Sequence, residues 1–217
     1  MTMMKITPKT TAYVIGNGTS RKSFDLIKLK GNGTVFGCNA LYRDFRMTNP
    51  KYILPDYLVA IDASIITEIE SSDFPSNRFI NPPEVEKWEP VELHWGRAVN
   101  KQWDPQRPRS NAGINAILEA IKMGFTDVYI FGFDSLVVDQ SVAMSNLYDG
   151  TNCYGLETRA SLPDTRNRMK YLGWVIENNP QTKFHFCFPK ELRVYKPEAD
   201  NCFIHDFNEI YHLLVVI

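Results

Sequence analysis

Hydrophobic residues along the chain occur in short runs that stop at glycine or at a polar side chain. Such runs are typical of strands that are buried on both faces of a sheet. The five clearest runs are residues 12–15, 34–38, 57–61, 128–131 and 183–188. In the last run every second residue is phenylalanine, which places the three rings on one face of the predicted strand. The pattern therefore predicts a sheet with at least five buried strands.

Helical periodicity fills the intervals between these runs. The clearest helix is predicted over residues 110–124, where isoleucines recur on one face and Gly124 ends the pattern. Asp164 is well placed to cap a second helix that carries Leu172 and Val175. Shorter helices are predicted over residues 19–28, 40–45 and 62–71.

The alternation of strands and helices predicts right-handed crossovers and a parallel sheet with helices on both faces. The predicted fold class is therefore α/β: a Rossmann-like three-layer domain with a mostly parallel sheet, which accounts for residues 1–217 as one domain. Residues 81–109 and 135–163 have no clean period and are predicted to be irregular, lid-like insertions. The apolar residues 213–217 predict a buried last strand. The alternatives are a tail that touches a membrane and a segment that forms a homo-oligomer.

Charge and cysteine spacing narrow the classes of partner. The chain has a formal net charge of −1, whereas a nucleic-acid partner held by electrostatics needs a basic face. Residues 1–11 lack the apolar run of a signal peptide, and no apolar stretch is long enough to span a bilayer. The four cysteines have no CxxC spacing, which favours free thiols in a reducing compartment. We expect a cytoplasmic protein with no nucleic-acid partner and no integral membrane segment.

Small and polar residues follow several of the predicted strands. In an open parallel sheet, ligands bind beyond the carboxyl ends of the strands. Glycine lets the backbone approach a ligand closely, and the first amides of a helix attract phosphate. These features predict a binding rim for a nucleotide or nucleotide-sugar. Its expected members are Gly16, Asn17, Gly18, Thr19, Ser20, Asn39, Asp62, Ser110, Asn111 and Asp134.

Missing motifs limit which nucleotide is expected. The third glycine of the dinucleotide fingerprint is missing after Gly16 and Gly18, because that position is Arg21, and the second strand ends at Asn39 instead of an acidic residue. NAD is therefore disfavoured. The chain has no Walker lysine loop and no Asp-x-Asp pair, so neither a P-loop kinase nor a metal-dependent sugar transferase is favoured. No metal ion and no separate cofactor is expected. The side chains available for phosphate are Tyr148, Tyr154, Arg107 and Arg109.

Three segments together resemble the bacterial sialyltransferases that use CMP-sialic acid. The segments are residues 14–20, 35–39 and 110–134, which give an Asn-Gly turn followed by Ser, a Cys-Asn strand end, a Ser-capped helix and a Gly-x-Asp after a strand. The same arrangement is similar to the MptE-like group, which includes a 6-hydroxymethylpterin pyrophosphokinase. The resemblance covers about half of the chain. It implies that Asn17, Ser20, Asn39 and Ser110 contact the nucleotide donor.

The catalytic base is where the chain departs from the sialyltransferases. The family's histidine position falls at Pro163-Asp164-Thr165, and no histidine is present there. Asp164 is the nearest ionisable replacement, although a helix-capping role is the stronger expectation for it. The second candidate base is His205, which is followed by the carboxylate of Asp206.

Three functions are therefore expected from this sequence. The first is a metal-independent glycosyltransferase that uses a nucleotide-sugar donor, with a CMP-sugar foremost. The second is an MptE-like pyrophosphokinase, which would need magnesium near the phosphates and for which Asp62 and Asp134 are the candidate ligands. The third is a nucleotide-binding protein of the same fold without catalytic activity.

Overall fold

The computed structural model describes residues 10–46, 53–81, 111–156 and 160–214. Within these residues, seven strands form one sheet in the order β4-β3-β2-β1-β5-β6-β7, and every pair of neighbours is parallel. The strands are β1 Thr11–Ile15, β2 Thr34–Cys38, β3 Tyr57–Val59, β4 Phe79–Ile80, β5 Asp127–Phe131, β6 Lys183–Phe188 and β7 Cys202–Asp206. All five predicted strands are confirmed.

Helices connect the strands. The α-helices of the described residues are α1 Ala63–Glu70, α2 Ala112–Lys122, α3 Gln140–Ala143, α4 Leu162–Glu177 and α5 Phe207–Leu213. Short 3-10 helices cover Thr19–Ser23, Leu26–Leu29, Asn39–Arg46, Ser76–Arg78 and Asp134–Leu136. No helix among the described residues is long and apolar enough to cross a membrane.

Two hydrophobic layers enclose the sheet, because successive strand residues point to opposite faces. On one face, Val14 and the three phenylalanines of β6 pack against α2 and α4. On the other face, Tyr13 and Phe131 pack against α1, α5 and the 3-10 helices Leu26–Leu29 and Asn39–Arg46. Residues such as Val14 and Phe131 are fully buried. This arrangement confirms the predicted α/β fold with three layers and a Rossmann-like parallel sheet.

The strand order reverses between β1 and β5. From β1 the chain builds the sheet outward through β2, β3 and β4, and it then returns to place β5 on the opposite side of β1. In open parallel sheets such a reversal of strand order is where a ligand crevice forms, at the carboxyl edge of the sheet.

Several predicted elements differ from the structure. Residues 19–28 form two short 3-10 helices instead of one helix, and the strand predicted from Leu213 onward is wrong at that residue, which ends α5. Asp164 does not cap α4. Ser161 is the N-cap, and Asp164 is the third helical residue of a reciprocal capping box. The insertion predicted over 81–109 lies, apart from Asn81, outside the described residues.

Candidate functional site at the carboxyl ends of β1 and β5

A cleft of about 470 Å³ lies at the carboxyl edge of the sheet, at the point where the strand order reverses. It is lined by the loops that follow β1, β2, β3 and β5, by the start of α2 and by the first turns of α4. The segment 143–154 contributes a further wall. The sequence-predicted residues that line it are Gly16, Asn17, Gly18, Asn39, Asp62, Asn111, Asp134, Tyr154 and Asp164. Ser110, Arg107 and Arg109 lie outside the described residues.

The two glycines of the β1 loop allow this loop to pack against the β5 loop. The Gly16 amide donates a hydrogen bond to the Phe131 carbonyl at 2.7 Å, and the Gly18 amide donates to the Gly132 carbonyl at 3.0 Å. A Cβ atom on Gly16 would lie 2.5 Å from the Gly132 oxygen, and one on Gly18 would lie 2.3 Å from Cγ of Asp134. A side chain at Gly16 would therefore force the two loops apart, and one at Gly18 would displace the Asp134 carboxylate.

Asp134 is a buried carboxylate that holds the start of the first 3-10 helix. It accepts hydrogen bonds from the Ser20 amide at 3.0 Å, from the Ser20 hydroxyl and from the Thr19 hydroxyl at 3.4 Å. Burial raises the pKa of Asp134, although the hydrogen bonds from Ser20 and Thr19 oppose this shift. Thr19 and Ser20 therefore use their hydroxyl groups inside the protein, and neither residue lines the cleft.

Asn17 joins the β1 loop to the segment 143–154. Its side-chain amide donates a hydrogen bond to the Tyr154 hydroxyl at 3.2 Å, and its carbonyl accepts one from the Leu147 amide at 2.9 Å. The Cys38 thiol lies 3.7 Å from the Asn17 side-chain oxygen. Burial raises the pKa of Cys38 to about 12, so this thiol is protonated at neutral pH and is not a nucleophile.

Asn39 presents an unused acceptor at the end of β2. Its φ angle of 50° is in the left-handed region, which asparagine tolerates better than most residues. Its side-chain oxygen Oδ1 is buried and has no hydrogen-bond partner among the described residues. Because an unpaired buried polar atom is costly, a ligand that donates a hydrogen bond to Oδ1 would recover that free energy.

The first turn of α2 faces the cleft with Ala112 and Gly113. Asn111 is the N-cap, and its side-chain oxygen accepts a hydrogen bond from the Ile114 amide at 2.8 Å. Asn111 therefore stabilises the helix start. The first amides of a helix have no intrahelical acceptor, and the helix dipole favours an anion at this end.

Charged residues of α4 and of the segment 143–154 form the opposite wall. Asp164 and Arg168 lie one helical turn apart on α4 and both line the cleft, as does Asp149. The Asp164 carboxylate accepts hydrogen bonds from the Ser161 amide at 3.2 Å and from the Ser161 hydroxyl at 2.7 Å. Arg168 is the one cation among the described residues that line the cleft. Arg168 was not among the predicted site residues, although its helical spacing from Asp164 indicates that the two side chains share one face of α4.

The structure does not bring Tyr148 to the cleft. Its side chain is buried, and its hydroxyl donates a hydrogen bond to Asp44 at 2.7 Å and accepts one from Arg21 at 2.9 Å. Burial raises the pKa of Tyr148, and burial likewise raises that of Tyr154, so both hydroxyl groups are protonated at neutral pH. No local sequence signal connects Arg21 or Asp44 to Tyr148.

His205 also lies away from the cleft, on the edge strand β7. Its Nε2 atom is 2.9 Å from Nδ1 of the buried His185, and its Nδ1 atom is 3.4 Å from a carboxylate oxygen of Glu209. Asp206, the sequence neighbour expected to orient His205, instead caps α5 by accepting hydrogen bonds from the amides of Asn208 and Glu209.

Among the described residues, no group of three or more His, Cys, Asp or Glu side chains is arranged to hold a metal ion. Comparisons of the chain with protein-family models, with curated proteins and with solved structures gave no match. The cleft itself is therefore the basis for assigning a function.

Proposed function

We propose that the protein binds a nucleotide-sugar, with a CMP-sugar foremost, in the cleft at the carboxyl ends of β1 and β5 and transfers the sugar to an acceptor hydroxyl without a metal ion. The observation that carries this proposal is the buried, unpartnered Oδ1 atom of Asn39, a residue that lines the cleft at the reversal of strand order. Crevices at this point of open α/β sheets are the usual nucleotide sites.

The walls of the cleft supply suitable groups for each part of such a donor. Asn39 Oδ1 would accept a hydrogen bond from a ribose hydroxyl or from the amino group of a base. The start of α2 would meet the phosphate with its backbone amides, and Arg168 would add a positive charge on the opposite wall. Tyr154, whose hydroxyl already holds Asn17, lies where it would contact the sugar or the phosphate.

Asp164 is the candidate base for the transfer, because His205, the other candidate, is not at the cleft. The Asp164 carboxylate would accept the proton of the acceptor hydroxyl while the hydroxyl oxygen forms a bond to the anomeric carbon. The bond between that carbon and the phosphate oxygen breaks, and the nucleotide leaves with the electron pair. Arg168 and the α2 amides would stabilise the negative charge of the departing phosphate.

One observation favours the pyrophosphokinase alternative. Asp62, Asp149 and Asp164 all line the same cleft. Carboxylates near a polyphosphate are the usual ligands of magnesium in phosphoryl transfer, but these three are not arranged to hold a metal ion by themselves, so the phosphate oxygens would have to complete the coordination. Asp134, the other residue expected in that role, is instead occupied by Thr19 and Ser20.

A thermal-shift screen with CMP, UDP, GDP, ATP and the corresponding nucleotide-sugars, each with EDTA and with magnesium, tests the proposal. A ligand that binds only the native state at 100 times its Kd stabilises it by about 2.7 kcal/mol, which is about 5–10 °C in Tm for a chain of this size. We expect CMP or a CMP-sugar to give this shift in EDTA. A shift seen only with ATP and magnesium favours the pyrophosphokinase. No shift with any of these ligands at millimolar concentration would overturn the assignment.

A further inference from the structure

A buried network of three polar side chains lies beneath the cleft. Arg21, Asp44 and Tyr148 are 3%, 5% and 7% exposed, and they contact one another in a closed triangle. The Arg21 guanidinium pairs with the Asp44 carboxylate at 3.2 Å and donates to the Tyr148 hydroxyl at 2.9 Å. The Tyr148 hydroxyl donates to the second Asp44 oxygen at 2.7 Å. Each of the three side chains therefore forms a hydrogen bond or an ion pair with the other two.

The network joins the segments that build the cleft. Nε of Arg21 donates a hydrogen bond to the Gly16 carbonyl at 2.6 Å, directly below the β1 loop. Asp44 belongs to the 3-10 helix that begins at Asn39. Tyr148 belongs to the segment 143–154, which lines the cleft with seven of its residues, Asn146 among them. Three walls of the cleft thus meet in one triangle.

The network is not a ligand-binding group itself. The Arg21 side chain is occupied by the Gly16 carbonyl, Asp44 and Tyr148, and none of the three network residues lines the cleft. Arg21 stands where the dinucleotide fingerprint has its third glycine. In the fingerprint, that glycine allows a helix and a strand to pack closely. Here the long Arg21 side chain reaches back beneath the β1 loop to the Gly16 carbonyl.

Burying an ion pair is costly, and replacement by apolar residues is often neutral for stability. A triangle that links three separate segments is better explained by the geometry it imposes. We propose that Arg21, Asp44 and Tyr148 are positioning residues that hold the β1 loop and the segment 143–154 at the separation a bound nucleotide requires. The inference rests on the proposed function, since it assumes that a nucleotide is the ligand of this cleft.

Tyr148→Phe is the sharpest test, because it removes one oxygen atom and leaves the ring and the Arg21–Asp44 pair in place. Its matched control is Tyr13→Phe, which removes another buried hydroxyl, one that donates to the Asn32 carbonyl at 3.3 Å. Two quantities are measured for each variant. The first is the hydrogen exchange of two amides: that of Leu147, which bonds the segment 143–154 to the β1 loop, and that of Gly18, which bonds the β1 loop to the β5 loop. The second is the Kd for CMP.

We expect Tyr148→Phe to accelerate exchange of the Leu147 amide and to weaken CMP binding, each by about 3- to 10-fold, the usual range for one buried hydrogen bond. Tyr13→Phe should leave both quantities unchanged. Asp44→Asn should have a larger effect than Tyr148→Phe, because it also removes the charge that pairs with Arg21. If Asp44→Asn does not fold, Tyr148→Phe alone decides.

Unchanged exchange at Leu147 and Gly18 in Tyr148→Phe would overturn the positioning role, whatever the nucleotide affinity. Faster exchange with unchanged CMP affinity would overturn it as well, because the loops would then move without consequence for the ligand. If the wild type binds CMP in neither EDTA nor magnesium, the proposed function fails on its own measurement. The positioning role for a nucleotide then fails with it, and the exchange data show separately whether the triangle holds the loops.

Discussion

The side-chain amide of Asn17 donates a hydrogen bond to the hydroxyl of Tyr154, 137 positions later in the chain, at 3.2 Å. This contact joins the loop after β1 to the segment 143–154 across the floor of the cleft. The Asn17 carbonyl adds a second connection by accepting a hydrogen bond from the Leu147 amide. Asn17 thus lines the cleft and also joins two of the segments that form its walls.

Asn17→Ala should weaken CMP binding by about 5- to 10-fold, because it removes the proposed ligand contact and releases the Tyr154 hydroxyl. The backbone connection to Leu147 does not depend on the side chain, so the Tm should change little. Isothermal titration with CMP and thermal unfolding are the measurements.

Asn178→Ala is the matched control for Asn17→Ala. Asn178 ends α4 and donates a hydrogen bond to the Trp174 carbonyl. It lies about 15 Å along the helix from the cleft residue Arg168. Equal CMP affinities for Asn17→Ala and Asn178→Ala would show that Asn17 is not part of the binding site.

Asp134→Asn should lower the free energy of unfolding by about 1–3 kcal/mol. Both carboxylate oxygens of Asp134 accept hydrogen bonds from Thr19 or Ser20. Asparagine would replace one of these oxygens with an NH2 group, which donates and cannot accept. Urea unfolding measures the loss. Asp139→Asn is the comparison, because Asp139 also accepts a backbone hydrogen bond, from Ser141, but is exposed. A loss no larger than that of Asp139→Asn would mean that the Asp134 contacts are dispensable.

The position of the cleft could be predicted from the sequence because strand ends fix it. Gly16 to Gly18, Asn39 and Asp62 follow strands whose apolar runs are unambiguous, and the carboxyl ends of parallel strands share one edge. The direction in which each side chain points could not be predicted. Ser20 turns toward Asp134, 114 positions away, and this depends on how the β1 and β5 loops pack.

Two errors had signals in the sequence that would have prevented them. Ser161 and Asp164 are three positions apart, as are Asp206 and Glu209, and this spacing is that of a capping box. The first pair shows that α4 begins before Asp164. The second pair predicts a helix after β7, whereas the apolar end of the chain alone suggested a strand from Leu213. By contrast, the pairing of Arg21 with Asp44 has no local pattern, because it requires two segments to meet beneath the sheet edge.

The pair of His185 and His205 should make folding sensitive to acid. Burial lowers the pKa of His185 from 6.5 to about 4, with a further decrease caused by His205, while Asp127 opposes the shift. Burial also lowers the pKa of His205, opposed by Glu209. Folding thus favours the neutral imidazoles, so their contribution to stability is complete above about pH 6.5 and is lost as the pH falls toward 4.

We therefore expect the free energy of unfolding of the wild type, measured with urea between pH 7.5 and pH 4.5, to decrease as the pH falls. Below the ordinary pKa of His185, this residue contributes up to about 1.4 kcal/mol per pH unit to the decrease. His185→Phe keeps an aromatic ring stacked between Tyr129 and Phe203 but cannot be protonated, so its slope over this range should be smaller. His212→Gln, at an exposed residue of α5, should keep the wild-type slope. Parallel pH profiles for the wild type and His185→Phe would contradict this account.

Asp164→Asn separates a catalytic role from a structural one at the position where the sialyltransferase resemblance implies a histidine. Asparagine can still accept the hydrogen bonds from the Ser161 amide and hydroxyl, so the capping box and the Tm should be preserved. It cannot accept a proton, so turnover of the CMP-sugar should fall by about 100-fold or more while the Kd for CMP stays the same. Asp164→Ala, which removes the base together with the hydrogen bonds that Asp164 accepts in the capping box, should lose turnover and also about 1 kcal/mol of stability. If Asp164→Asn retains wild-type turnover, Asp164 serves only in the capping box of α4, and another group must accept the proton. Among the described residues that line the cleft, the remaining candidate carboxylates are Asp62 and Asp149, because Asp134 already accepts hydrogen bonds from Thr19 and Ser20.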